Sequence, residues 1–166
     1  MRYSGIDEFE IVNGKDIGVS FYTQGCYRHC KGCFNEAAWD LDGGMEYTTD
    51  VRDKIVNLCS RTGIKRFSIV GGEPLLERNK EEIMALCSLV KKANPDIKIW
   101  VYTGNVYEAI KDKWLEFFQY YVDVLVDGPF ILEQRDITLP FRGSSNQRII
   151  DVRKSIIEGK VVEIND

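Results

Sequence analysis

Residues 17–35, "IGVSFYTQGCYRHCKGCFN", pass from a strand pattern straight into a loop of clustered thiols, and that junction decides the fold. The opening "IGVSFYTQ" (about 17–24) is rich in β-branched and aromatic side chains, which marks a strand. The loop behind it packs three of the chain's five cysteines and its only histidine into positions 25–35. A loop at the carboxyl end of a strand lies where α/β folds bind ligands, provided that the rest of the chain supplies parallel strands.

Outward from this loop, strand and helix patterns alternate. "TTDVRDKIVNLCSRTG" sets Val51, Ile55, Leu58 and Cys59 on one helical stripe, with Thr49 or Asp50 as N-cap and Gly63 as the stop. "RFSIV" (66–70) is a short buried strand ending at "GGEPLL". A helix over about 77–93 follows, with Ile83, Leu86, Cys87 and Val90 on one face, and it stops before Pro95. "IKIWVYTG" (97–104) is the third strand. Asn105 and Glu108 have the spacing of a capping box, opening a helix striped by Val106, Ile110, Trp114 and Phe117. "VDVLVDG" (122–128) is the fourth strand, and short β segments fit near "QRIIDV" and "KVVEI". Strands alternating with helices predict right-handed βαβ crossovers and a largely parallel sheet. The cysteine loop, "GGEP", "YTG" and "DGPF" each follow a predicted strand, so four unusual motifs share one rim.

A chain of 166 residues is long enough for one domain with a hydrophobic core and too short for two, so a single domain over 1–166 is expected. Apolar residues at 44% and charged residues at 29% are an ordinary globular balance. The net charge of −4 and the lack of a basic stripe disfavour nucleic acid as a partner. No apolar run approaches a membrane span, and the N-terminus lacks the pattern of a secretory signal. An odd number of clustered cysteines is a poor disulfide framework and a plausible metal site in a reducing compartment, so the cytoplasm is the expected location.

Cys26, Cys30 and Cys33 form C-x3-C-x2-C, with gaps long enough to turn the chain and too short to lead it away. A zinc knot is the plainer reading, but it closes with four ligands. His29 adjoins Cys30 and would strain to reach the same ion, and no second cysteine pair exists. Cys59 and Cys87 fall on apolar helix stripes and read as buried small side chains. The alternative is a four-iron four-sulfur cluster held by three thiolates, its fourth iron open to a small molecule.

C-x3-C-x2-C after one strand, and Gly-Gly-Glu-Pro after the next, resemble the radical S-adenosylmethionine superfamily. The resemblance implies a partial (β/α) barrel, here of about five to six mostly parallel strands. It also implies one [4Fe-4S] cluster on Cys26, Cys30 and Cys33, whose open iron chelates S-adenosyl-L-methionine. The reduced cluster then splits the cofactor into methionine and a 5′-deoxyadenosyl radical. Many members carry an aromatic residue just before the third cysteine, where this chain has Gly32. Phe34 is the nearest substitute.

The other rim motifs have plain readings beside functional ones. "GGEP" (71–74) could be a tight turn with Pro74 at an early helical position. Two glycines also admit close approach of a ligand, and by resemblance Glu73 with the Gly71–Gly72 backbone holds the cofactor's amino group. Thr103 sits in a strand-end turn and by resemblance could face the ribose or methionine part. Asp127 belongs to an Asp-Gly-Pro turn and is a candidate polar contact at the rim. "FRGSSNQRIID" (141–151) could be a solvated loop, yet its donors suit a carboxylate, ribose hydroxyls or a docked main chain. Arg142, Ser144 and Gln147 are its candidate contacts.

With "QGC…CKGCFN", "GGEPL", "WVYTG" and "DVLVDGPF", that segment resembles the activating proteins of anaerobic (class III) ribonucleoside-triphosphate reductases, over about residues 16–164. The resemblance implies a flavodoxin-like electron donor. It also implies a polypeptide substrate: one glycine of the large reductase subunit, whose Cα loses a hydrogen atom to leave a glycyl radical. A closed barrel with its helices needs about 250 residues, so an incomplete barrel with a lateral gap is expected. The alternatives are a small-molecule enzyme of the 7-carboxy-7-deazaguanine synthase type and a zinc-stabilised binding module.

Overall fold

The computed structural model describes residues 1–165. In chain order its elements are β1 (Arg2–Glu10), β2 (Gly18–Thr23), β3 (Met45–Glu46), α1 (Thr49–Cys59), β4 (Arg66–Gly71) and α2 (Lys80–Ala93). They continue with β5 (Lys98–Tyr102), α3 (Tyr107–Ile110), α4 (Leu115–Tyr120), β6 (Val124–Asp127), β7 (Arg148–Asp151) and α5 (Val152–Glu158). The described strands form one mixed sheet of seven, in the order β3-β1-β2-β4-β5-β6-β7. The middle four, β2-β4-β5-β6, are parallel. The flanking pairs β1–β2, β1–β3 and β6–β7 are antiparallel. The sheet is therefore wider and more mixed than the five to six mostly parallel strands expected.

Alternation along the strands sorts side chains onto two faces. Phe21, Ile69, Val101, Leu125 and Ile150 occupy one face and pack with the apolar sides of all five helices. Each such side chain contributes about 1.5–3 kcal/mol on full burial, so this layer dominates the fold's stability. The opposite face carries Ser20, Tyr22, Arg66, Ser68, Trp100, Tyr102, Val124 and Val126 and is covered by loops. Residues 11–17 are held there by Arg66, and Phe141 meets Trp100 edge-on at 5.4 Å.

Several elements depart from expectation. β1 and β3 were not anticipated, because β1 lies near the sheet edge and lacks a clean apolar alternation. The helix after the third strand is two short helices, α3 and α4. Trp114, Phe117 and Phe118 are all fully buried, which takes a wider apolar arc than one straight stripe offers. α1 is capped by Thr48, whose hydroxyl accepts from Val51 N–H, and it ends at Cys59 rather than Gly63. α2 starts at Lys80 after a 3-10 turn at Glu77–Asn79, so Pro74 lies in the preceding turn and not in a helical first turn. "KVVEI" contributes a single bridge, Glu163 to Ile150, and "VRKSIIE" is the helix α5. Among the described residues, no helix is long and apolar enough to cross a membrane.

Candidate active site

The carboxyl ends of the parallel strands surround a cavity of about 580 Å³, the size of small-ligand sites. Cys26, Cys30 and Cys33 line it together with Gly71, Gly72 and Glu73. Thr103, Arg142 and Gln147 also reach its wall. Pro74, Asp127 and Ser144 are not among its lining residues.

The cysteine loop is shaped by its backbone. Gly25 and Gly32 have φ of 106° and 77°, and His29 adopts φ of 49°, so the chain turns tightly between thiols. The loop is pinned at its base, where Gly25 N–H donates to Ala38 O at 2.7 Å and Cys26 N–H to Trp39 O at 3.2 Å. His29 stacks on Trp39 with centroids 4.4 Å apart, so its ring is packed against an aromatic face. All three thiols are free and partly exposed. Burial pushes the Cys26 thiol up, while the backbone N–H groups of Arg28 and His29 pull it back. Asn35 N–H points at Cys33 Sγ from 3.4 Å. Phe34 sits at the mouth, tilted on Phe130 at 5.3 Å, with the Arg135 guanidinium above its ring.

"GGEP" is bound to this loop more closely than a turn requires. Gly72 N–H donates to Thr23 O and Glu73 N–H to Gly25 O, at 2.9 and 2.8 Å. A Cβ at Gly71 would collide with the Thr23 backbone, and one at Gly72 with Gly25 O. The glycines therefore serve the docking of two strand ends, whatever they also allow a ligand. Glu73 is 5% exposed. Its carboxylate accepts from the Thr103 hydroxyl, from Gly104 N–H at 2.9 Å and from Asn105 Nδ2 at 2.9 Å. Burial raises its pKa, opposed by the Thr103 and Gly104 donors and by the Arg28 charge. Among the described residues it makes no direct ion pair, and the nearby Arg28 guanidinium acts on it only across Asn105. Asn105 Oδ1 in turn accepts from Arg28 Nη2 at 2.5 Å, linking the cysteine loop to Glu73.

Asn105 is thus not a helix cap. Tyr107 N–H is capped by Asp127 Oδ2 at 2.8 Å, and Glu108 pairs with Arg148. Asp127 also accepts from Arg148 at 2.6 and 3.1 Å, which commits it to joining β6, β7 and α3. The donors of 142–148 mostly fold that segment onto itself. Gln147 Oε1 accepts from Gly143 and Ser144 N–H, and its Nε2 donates to Gly128 O. The Ser144 hydroxyl bonds Asn146, whose amide reaches Pro129 O. Arg142 gives Nη1 to Gln147 O, but its buried Nε has no partner. Sequence reasoning passed over Arg28 and read Asn105 only as a helix cap, not as part of the site. Their only signal was position, beside the thiols and directly after a rim turn.

Among the described residues, no group of three or more His, Cys, Asp or Glu converges on a single metal ion. Thiolates serving three different irons of one cluster stand farther apart than ligands of one ion. Three thiols around an open cavity, with a backbone N–H directed at one sulfur, are a donor set that fits a cluster. The neighbouring buried carboxylate, which makes no direct ion pair among the described residues, fits an ammonium group.

Residues 12–150 match the family described as "4Fe-4S single cluster domain". This is an iron–sulfur domain on an α/β sheet. The chain is 38% identical over 151 residues to the anaerobic ribonucleoside-triphosphate reductase-activating protein of Vibrio cholerae, covering 90% of this chain and 97% of that one. It is 36% identical over 151 residues to the protein of that name from Haemophilus influenzae, with the same coverage. The counterpart from Salmonella typhimurium is 34% identical over 155 residues, 92% of this chain and all of that one. The chain belongs to the family of anaerobic ribonucleoside-triphosphate reductase-activating proteins.

Proposed function

We propose that this chain is a radical S-adenosylmethionine activase, a single domain that places a glycyl radical on the anaerobic ribonucleoside-triphosphate reductase. The observation that carries this reading is the meeting of Cys26, Cys30, Cys33 and Glu73 in one rim cavity of a chain from this family. The sheet, helical on one face and loop-covered on the other, is read as the wall of a partial (β/α) barrel. When bound and reduced by a flavodoxin-like donor, a [4Fe-4S] cluster supplies the electron that splits S-adenosylmethionine, giving the radical that takes hydrogen from a glycine Cα.

The chain's own residues hold and orient. Cys26, Cys30 and Cys33 are the thiolate ligands. Glu73 receives the cofactor's ammonium group, which supplies the direct ion pair its buried carboxylate lacks. Thr103, Gly104 and Asn105 fix that carboxylate from three sides, so it is aimed before the cofactor arrives. Arg28 ties the thiol loop to this set through Asn105. Phe34 and Phe130 form an aromatic pair at the mouth. The names of the relatives give the small-molecule alternative no support.

The test is anaerobic incubation with reductant, S-adenosylmethionine and the reductase. A glycyl-type EPR doublet on the reductase is expected. Cofactor cleavage without that doublet would overturn the activase reading, and a colourless protein with one zinc per chain would overturn the cluster.

A further inference from the structure

Two of the residues that line the cavity carry a buried polar atom without a partner, the Arg142 Nε and the Tyr102 hydroxyl. A buried donor without an acceptor costs stability, so such atoms point to a guest that completes them. Tyr102 is the more informative. It lies one residue inside the rim on the loop-covered face, paired with Val126 on β6, in the layer where Tyr22 pairs with Val70. The polar groups around it are already engaged. Tyr22 donates to Asp7 at 2.7 Å and accepts from Asn13 Nδ2 at 2.9 Å. Glu10 is saturated by Arg66, Ser20 and two backbone N–H groups. Burial pushes the Tyr102 phenol well above its ordinary range, so it remains a protonated donor.

The chemistry of the missing acceptor follows from the surroundings. Val70, Val126 and Phe141 line the cavity beside Tyr102, and an apolar wall disfavours an ionised carboxylate while tolerating one hydrogen-bonded amide. The groups suited to a charged cofactor, Glu73 and Thr103, lie above it at the rim. A glycine offers no side chain to grip, so a protein that acts on one must hold its main chain. We infer that the Tyr102 hydroxyl donates to a main-chain carbonyl of the glycine-bearing segment and positions that segment in the cavity. This rests on the activase reading above.

Tyr102→Phe in the cluster-loaded protein tests it. With no internal partner to lose, the variant melts at the wild-type temperature or above it. It binds and cleaves S-adenosylmethionine without reductase within about twofold of wild type. The KM for the reductase in glycyl-radical formation rises about tenfold, the equivalent of about 1.4 kcal/mol and typical of one net hydrogen bond. A lower melting temperature would assign the hydroxyl a structural role, and weakened cofactor binding at unchanged reductase KM would assign it to the cofactor. Either overturns the inference, as does a variant equal to wild type in all three measurements. Wild-type protein that never marks the reductase would instead sink the activase reading, and this inference with it.

Discussion

Arg66 opens the strand β4 and Glu73 lies two residues past its carboxyl end, and both are buried ionisable groups, yet their surroundings differ in kind. Arg66 is fully buried and its charge is met by Glu10 at 2.7 Å. Its remaining N–H groups reach Ser68 and the carbonyls of Glu10, Asn13, Lys15 and Asp16. Nothing is left for a ligand, and the loop 11–17 is tied shut across the sheet. Glu73 is hydrogen-bonded only to neutral donors, and burial raises its pKa even though those donors and the nearby Arg28 charge pull it down. Saturation at the amino end of the strand makes a floor. Incomplete compensation at the carboxyl end makes a site, and parallel sheets characteristically bind ligands at that end.

The contrast can be broken most completely at the rim. Replacing Cys26, Cys30 or Cys33 by Ala is expected to abolish iron retention and S-adenosylmethionine cleavage, while apo-protein stability in urea changes by less than about 1 kcal/mol, because these thiols are half-exposed loop residues. Iron analysis and absorption near 400 nm read the first effect. Arg66→Met is the reverse case. It leaves Glu10 buried without its cation and several carbonyls without donors, so a loss of about 3–5 kcal/mol in urea unfolding is expected.

Glu73→Gln sharpens the comparison through pH. Folding raises the Glu73 pKa, so the folded state holds this proton more tightly than the unfolded chain. Its contribution is full below the ordinary glutamate range and is lost as pH rises through the raised value. The apo-protein variant should therefore gain on wild type as pH increases across that window, and a constant difference in urea unfolding would contradict the assignment. Glu10 works in the opposite direction, held low by Arg66 and Ser20 against its burial, and stabilises until acid protonates it.

The smallest effects belong to the helix layer. Burial pushes Cys59 up to about 12 and Cys87 higher still, as for inert packed thiols. Cys59→Ala and Cys87→Ala should keep full iron content and cost at most about 1–2 kcal/mol in urea unfolding. Loss of iron in either would show that the thiol trio is not self-sufficient.

Much of this molecule was legible in its residues. The core strands and the two long helices follow from periodicity, because buried positions recur at the spacing of each element. β1, β3 and α5 escaped, since a two-residue edge strand, its half-exposed neighbour and a seven-residue helix bury too little to leave a pattern. Asn105 and Glu108 had the spacing of a capping box and do other work, because Asp127 from the neighbouring strand reaches the helix start first. The polar run 142–148 announced donors without saying to whom they donate. Most are used within the turn itself.

The thiol trio, the rim motifs and the alternation of elements could be read from the chain alone, since ligand spacing and amphipathic period are local properties of consecutive residues. Which polar groups are satisfied and which stand open could not. Glu73 meets Thr103 and Asn105 across thirty and thirty-two residues, and Arg28 meets Asn105 across seventy-seven. Hydrogen bonds over such separations exist only once the strands lie side by side, so packing alone assigned Glu73 its ring of neutral donors and Tyr102 its unclaimed hydroxyl.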